Sequence, residues 1–495
     1  MSTPEKNDRQ NDRPGGLRLF GFATLAMPLA AVEVPLTTYL PPLYASAFGF
    51  DLATLGLIFL AARLWDAFVD PTVGALSDRT RTRYGRRKPW ILAGGLIFFL
   101  FALPIFFPPQ GFGPIALSAV LFLFYVGYTF IAIPFAAWGG ELSSQYHERT
   151  RITTYATVTT CIALLLALVI PALVEQLPAL FRAVPAIPQA LGLPADAAFA
   201  HDPRVKLAAM GLMTFILLLP ALVFGLTTLK EPPLPPQSVE PLNLKTVLGA
   251  LVGEKLLLRV LGSNFAVRLG QGIRTSLFVF FVAFIIGKPE WAPLLFLLQY
   301  TVGILAGPIW LFIGRRVGKH NAAVAGELIQ VAINLGLLLV SAARIELLLV
   351  LTVAQGLAQG SGNLMLRAIV ADVADHHRLK HGEDRTGLFF SVFSLSDKAA
   401  MAAAVGIALP LVAAFGFDPK ITNSASALSA LQIAFAVGPA LAHLASALLI
   451  RGFPLDEKAH SDIRAQLDAQ SAAAAPASVS HPSTVPSAAT AAPNV

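Results

Sequence analysis

Apolar residues fall into twelve blocks of about twenty, parted by polar breaks, a length that lets a helix cross roughly 30 Å of hydrocarbon. The blocks lie near 18–47, 53–76, 90–108, 113–138, 153–176, 207–228, 258–286, 291–313, 321–341, 346–370, 386–415 and 427–450. In lipid each backbone polar group must find its partner within the segment, so unbroken apolar blocks predict helices rather than open strands. The fold class is therefore an all-α membrane protein. The longest breaks are 177–206 and 229–257. The second opens with Glu231-Pro-Pro-Leu-Pro-Pro and reads as an extended cytoplasmic linker joining two six-helix bundles, 17–228 and 258–451. Residues 1–16 and the tail 452–495 are expected to be cytoplasmic and largely disordered, the tail becoming rich in Ala, Ser and Pro from Ala465.

Composition agrees with this pattern. The chain is 55% apolar and only 13% charged, with a mean hydropathy of +0.67, where a soluble domain carries about 25% charge. The net charge of +7 sits in short loops, so membrane topology explains it without nucleic acid. Six bases follow the second block, between Asp78 and Pro89; Arg149 and Arg151 follow the fourth; Arg315, Arg316 and Lys319 follow the eighth. The breaks after the first and third blocks carry none, so even-numbered spans end in the cytoplasm of an inner-membrane protein, and both termini lie there too. Met1 to Pro14 is polar and no cleavable signal. The single Cys161 excludes an intramolecular disulfide and a CxxC metal framework. Neither a nucleophile elbow nor a phosphate loop is present, so an enzyme is not expected and no cofactor is implied. Six spans, a linker and six more spans imply a parallel repeat with a midplane site between the halves. Pro71 in span two and Pro308 in span eight, each ahead of a basic loop, are weak marks of that repeat.

An ionised side chain at mid-membrane costs about 2.5–3.5 kcal/mol on insertion scales, so intramembrane charges carry the functional information. They are Glu33, Arg63, Asp66, Asp70, Arg268, Arg274, Glu327, Asp397 and Lys398. Arg63, Asp66, Asp70 and Gly74 follow one another at three-, four- and four-residue steps and share a helical face. Two carboxylates one turn apart must take up a proton, gain a cationic side chain or bind a metal cation. A transporter can exploit that need, with Lys398 as the counter-charge when no cation is bound; a fixed structural polar stripe is the alternative reading of the same residues.

The run Arg63-Leu-Trp-Asp66-Ala-Phe-Val-Asp70-Pro71-Thr-Val-Gly74, continued by Asp78-Arg-Thr-Arg-Thr-Arg-Tyr-Gly-Arg-Arg-Lys-Pro-Trp90, resembles the signature of the glycoside–pentoside–hexuronide:cation symporters. Tyr128-Thr129 ahead of Pro134, Glu141, His147-Glu-Arg-Thr-Arg151, Gly387-Leu-Phe-Phe and the Asp-Lys-Ala at 397–399 fit the same family, which belongs to the major facilitator superfamily. The resemblance implies the major facilitator fold, and transport of a glycoside or other small solute coupled to H+ or Na+. By it, Asp66, Asp70 and Thr129 are cation ligands and Lys398 is the span-eleven lysine near both sites; Arg63 and Asp397 are read beside Lys398 as coupling and charge-pairing residues. Val69 stands where sodium-using members often have Asn, and its isopropyl group offers no oxygen, which favours a proton.

The sugar half departs further from the family. The span-four aspartate position is Ala132, the span-five arginine position falls at Tyr155 or Ala156, and the only span-one acid is Glu33. An amphipathic or lipid-like substrate therefore stays open beside a sugar, since a site stripped of hydrogen-bonding charges binds hydroxyls poorly. Candidate substrate contacts are Tyr125, Tyr128, Trp138, Arg268, Gln271 and Gln355, with Asn264, Arg274, Gln299, Tyr300 and Trp310 behind them. Asp78, Arg79, Arg149, Asp372 and Asp375 are expected to form a cytoplasmic gate, joined by Glu141, Glu148 and Arg151. His376, His377 and His381 read as part of a solvated cytoplasmic loop, where the i, i+4 pair would bind metal only if helical, so no structural metal is expected. An intramembrane enzyme or a non-transporting sensor are the rivals, but the first lacks a catalytic constellation and the second would not keep both acids. A monomer in the bilayer is expected.

Overall fold

A computed structural model of the chain describes residues 15–143, 146–176, 203–229, 231, 253–383 and 385–474, the side chains of 146, 147, 149, 150, 175, 176, 203, 468 and 471–474 excepted. Among them twelve helices are long and apolar enough to cross a membrane. They are α1 (Gly16–Phe48), α2 (Leu52–Arg79), α3 (Lys88–Phe106), α4 (Pro114–Glu141), α5 (Tyr146–Gln176) and α6 (Pro203–Thr228), then α7 (Lys255–Phe281), α8 (Ala292–Val317), α9 (Lys319–Gly336), α10 (Ile345–His381), α11 (Thr386–Ala414) and α12 (Ala425–Ile450). Side chains such as Phe68, Leu96, Ile115, Leu305 and Leu441 lie exposed on this bundle, a burden only lipid relieves.

Local chemistry sets the ends. Asp51 caps α2 by accepting from the Thr54 amide at 2.8 Å, and Gly49 leaves α1 with φ +71°. The interior of α1 is not a uniform α-helix. Pro35 opens a π-helical turn, Pro35–Tyr39, and the Thr37 hydroxyl donates to the Glu33 carbonyl at 2.8 Å.

The two halves meet along two seams, α2 against α11 and α5 against α8. A parallel repeat that maps α2 onto α8 and α5 onto α11 turns one seam into the other. Gly56 of α2 sets the first seam: a Cβ there would lie 2.7 Å from Pro410 Cδ of α11. At that same end Lys420 Nζ donates to the Gly49 carbonyl at 2.6 Å. One apolar core runs through both halves, while all six helices α7 to α12 contribute to a separate core at the basic end of the C-terminal half. The bundle is closed at the Gly49 end, and each half keeps its own packing at the Arg-rich end.

Two expectations change. A helix, α13 (Glu457–Ala474), occupies the start of the tail expected to be disordered, because Ile463 and Leu467, one turn apart, bury themselves on the C-terminal half's own core. The segment read as a histidine-bearing loop is the last stretch of α10, which continues to His381 and ends at Gly382 with φ +74°. At 37 residues α10 outruns the roughly 20 that span hydrocarbon, so its last turns stand in water. The linker expected at 229–257 lies mostly outside the described residues, but Glu231 docks on the basic loop, its carboxylate accepting from the amides of Arg86, Arg87 and Lys88 at 2.5–3.0 Å.

Candidate cation and substrate site

Asp66 is the fifteenth of 28 residues in α2 and so sits near mid-helix, with Asp70 one turn on. Helix α4 brings Thr129 to both. Gly127, two residues earlier, lets α4 press on α3, since a Cβ there would lie 2.5 Å from the Phe98 amide nitrogen. The Thr129 hydroxyl lies 2.9 Å from Asp66 Oδ1 and 3.0 Å from Asp70 Oδ1, and its one proton serves one oxygen at a time. From the other half, Lys398 of α11 reaches across the seam. Its ammonium lies 2.8 Å from Asp66 Oδ2 and also pairs with Asp70 Oδ2. Asp66 is fully buried, whereas the Asp70 and Lys398 side chains keep 20% and 24% of their surface.

Arg63 lies on the same α2 face, its guanidinium 5.1 Å from the centre of the Tyr125 ring. Glu33 joins the group from α1. The α1 span is 83% buried, far more than the 28% of the α8 span, yet Glu33 is exposed within it, so its carboxylate faces an internal opening rather than lipid. It acts electrostatically on Arg63, Tyr125, Tyr128 and Tyr300, residues of α2, α4 and α8. Sequence reasoning left Glu33 without a register. The π turn that follows it is the reason, because it breaks the 3.6-residue period.

Asp397, beside Lys398 on α11, turns the other way. It accepts from Arg268 Nε at 2.9 Å and Asn264 Nδ2 at 2.7 Å, both on α7. Arg268 and Asp397 keep 33% and 27% of their side-chain surface and border the interior opening. Consecutive residues of α11 thus grip α7 in their own half and α2 in the other.

The remaining candidates spread out. Tyr128 and Tyr300 are half-buried, and Gln271 accepts from Asn363 at 3.4 Å. Tyr125 and Gln355 are 1% exposed, each with a polar atom lacking a hydrogen-bond partner among the described residues. Trp138 is fully buried against Phe22, about 13 Å along α4 from Thr129, and packs rather than lining the opening. Trp310 is spent on the Leu357 carbonyl, and Gln299 on Gln359. Arg274 is buried against Asn334 and the Phe435 ring, and Glu327 is buried against His443 Nδ1 at 2.5 Å.

The gate residues do not join the halves through the ion pairs described. Asp78 pairs with Arg87 at 2.5 Å, and Arg87 and Arg86 both reach Glu141 at 2.6 and 2.7 Å, all within the N-terminal half. Burial pulls the Arg87 guanidinium down, but Glu141 and Asp78 outweigh that and hold its pKa above the usual value. Asp372 pairs with Lys319 at 2.6 Å and with His460 of α13 at 3.3 Å; Asp375 takes Arg464 of α13 at 3.2 Å. Arg151 pairs with Glu148 at 3.3 Å, Arg79 shows no ion pair among the described residues, and the Arg149 side chain lies outside them. The pairing repeats between halves: a base at the start of α3 or α9 holds an acid at the end of α4 or α10.

Comparison with known proteins agrees with this architecture. The family described as MFS/sugar transport protein matches residues 20–457. The isoprimeverose transporter of Lactiplantibacillus pentosus is 26% identical, with 85% of each chain covered. The glucuronide carrier protein homolog of Escherichia coli (strain K12) is 22% identical over 86% of this chain and 89% of its own. Among solved structures, a bacterial homolog of the human lysosomal transporter Spinster, inward-facing and unoccupied, superposes with a TM-score of 0.63 at 16% identity, covering 92% of this chain and 98% of that one. With twelve spans in two joined halves and a charged centre between them, this multi-pass membrane protein is a transporter of small molecules and belongs to the MFS/sugar transport protein family.

Proposed function

We propose that the protein is a cation-coupled sugar symporter of the inner membrane, with its basic end and both termini in the cytoplasm, working as a monomer. The observation that carries this reading is that Lys398 of one half holds both Asp66 and Asp70 of the other. The acids need a positive partner, and the partner present here belongs to the half that must move. A cation entering between Asp66, Asp70 and Thr129 takes over that neutralisation and frees the α2–α11 seam from its charged latch. Glu33, Asp66 and Asp70 against Arg63 and Lys398 leave one surplus negative charge, which fits one monovalent cation per cycle. Val69 supplies no oxygen beside Asp70, so the ion is a proton rather than sodium.

Sugar is the substrate class that the related isoprimeverose and glucuronide carriers favour by name, over the lipid-like alternative. Glu33 offers the acceptor that span one otherwise lacks, and Arg268, with Tyr128 and Tyr300, offers donors and ring faces around the same opening. Displacement of Lys398 reaches the sugar side through its neighbour Asp397, which positions Arg268. With the Gly49 end closed, the molecule stands inward-facing.

The test is uptake of labelled glycosides into proteoliposomes under an imposed pH gradient. Accumulation that collapses when the gradient is dissipated, and is lost in Asp66→Asn and Asp70→Asn, is the expected result. Accumulation that follows a sodium gradient alone overturns the proton assignment, and accumulation that survives both changes overturns the mechanism.

A further inference from the structure

The cytoplasm-facing tip of the C-terminal half holds a donor set that the transport cycle does not use. Glu254, the residue before α7, and His377 and His381, one turn apart at the end of α10, each present a ligand atom within 4.8 Å of the others. Glu254 and His377 are buried and His381 is exposed, so the group is anchored yet reachable from water. The two imidazoles lie with centroids 4.3 Å apart at a 30° tilt, and His377 and Phe389 of α11 meet edge-on at 5.3 Å.

His377 Nδ1 lies 3.3 Å from Glu254 Oε2, a separation that two ligands of one zinc ion take, and His381 Nδ1 lies 3.3 Å from the His377 carbonyl. A metal ion held by Glu254 Oε2 and His377 Nδ1 takes the place of the proton they share. A carbonyl only accepts, so the His381 ring donates from Nδ1 and keeps its lone pair on Nε2. Metal-bound histidines are oriented in this way, with the second ring nitrogen donating to a carbonyl.

We infer that Glu254, His377 and His381 form a binding site for a divalent transition-metal ion of the zinc type, fastening the start of α7 to the end of α10. Two imidazoles and a carboxylate match a three-ligand zinc shell whose fourth position is open to water. Zinc bonds of 2.0–2.2 Å place donors about 3.4 Å apart, closer than the present spread, and the exposed His381 side chain supplies the contraction.

Full-length protein in detergent, without a histidine tag and freed of metal by chelator, is titrated with zinc chloride by calorimetry. One saturable site per chain is expected, weakened at least about tenfold in His381→Gln and Glu254→Gln, and unchanged in His376→Gln. Cobalt(II) bound to the same protein gives visible absorption bands that zinc bleaches. Absence of a saturable site, wild-type affinity in His381→Gln, or an equal loss in His376→Gln overturns the assignment.

Discussion

Asp66 and Asp70 differ although they share a helix face, a hydroxyl and an ammonium. Asp66 is sealed and Asp70 keeps an opening, so in the proposed cycle the cation meets Asp70 first. Thr129 is the neutral hydroxyl bridging them. Thr129→Val keeps the shape and removes the oxygen. A hydrogen bond to a charged group contributes about 1.5–3 kcal/mol, so the concentration of coupling ion giving half-maximal uptake rises about tenfold or more. Initial rates measured against ion concentration check this, and an unchanged half-saturation value contradicts it. Asp70→Asn removes one charge from the surplus, so accumulation stops while downhill sugar flux continues at a reduced rate.

Between elements, small residues decide how close the seams come. Gly56→Leu drives a side chain into Pro410, and overpacking of this kind costs about 1–3 kcal/mol. That cost falls on the state closed at this end. Net uptake therefore drops steeply in Gly56→Leu, while Gly140→Ala, with open space around its Cβ, transports normally. Equal activity in the two removes the seam from the account. Truncation after Asp456 deletes α13, with Ile463, Leu467, His460 and Arg464, and is expected to lower the thermal midpoint of the purified protein by several degrees. An unchanged midpoint shows that α13 is not part of the folded unit.

These elements also show what the sequence discloses. The twelve spans were legible because hydrocarbon thickness fixes their length, and the Asp66–Asp70 pair because burial of two charges is too unfavourable to be incidental. Glu33 was not, since a π turn shifts register without a compositional mark. Glu231 was not, because it docks about 145 residues back along the chain, on the Arg86 and Arg87 amides. The α13 helix hid in a weakly apolar, Ala-rich segment that needs a neighbouring core to fold on. The end of α10 was read as a loop because its charges mark exposure to water, and exposure is equally a property of a helix that leaves the membrane.

At the scale of the molecule, two symmetry-related seams join the halves, and the proposed cycle rocks one half on the other around the centre between them. Spin labels at Gly140→Cys and Lys380→Cys, exposed near the Arg-rich ends of α4 and α10, report that motion in a Cys161→Ser background. Cation and sugar together shorten the distance between labels; either one alone shortens it less. In the proposed cycle Lys398 joins this motion to chemistry, because it stands in for the cation on the empty carrier. Replacing it strands the empty carrier with two uncompensated acids, while the loaded carrier still carries its cation. The decisive measurement compares net accumulation with sugar exchange at equal concentrations on both sides, using Lys398→Ala in proteoliposomes. Net accumulation lost with exchange retained is the predicted outcome; accumulation that persists, or exchange lost as completely as accumulation, contradicts the account.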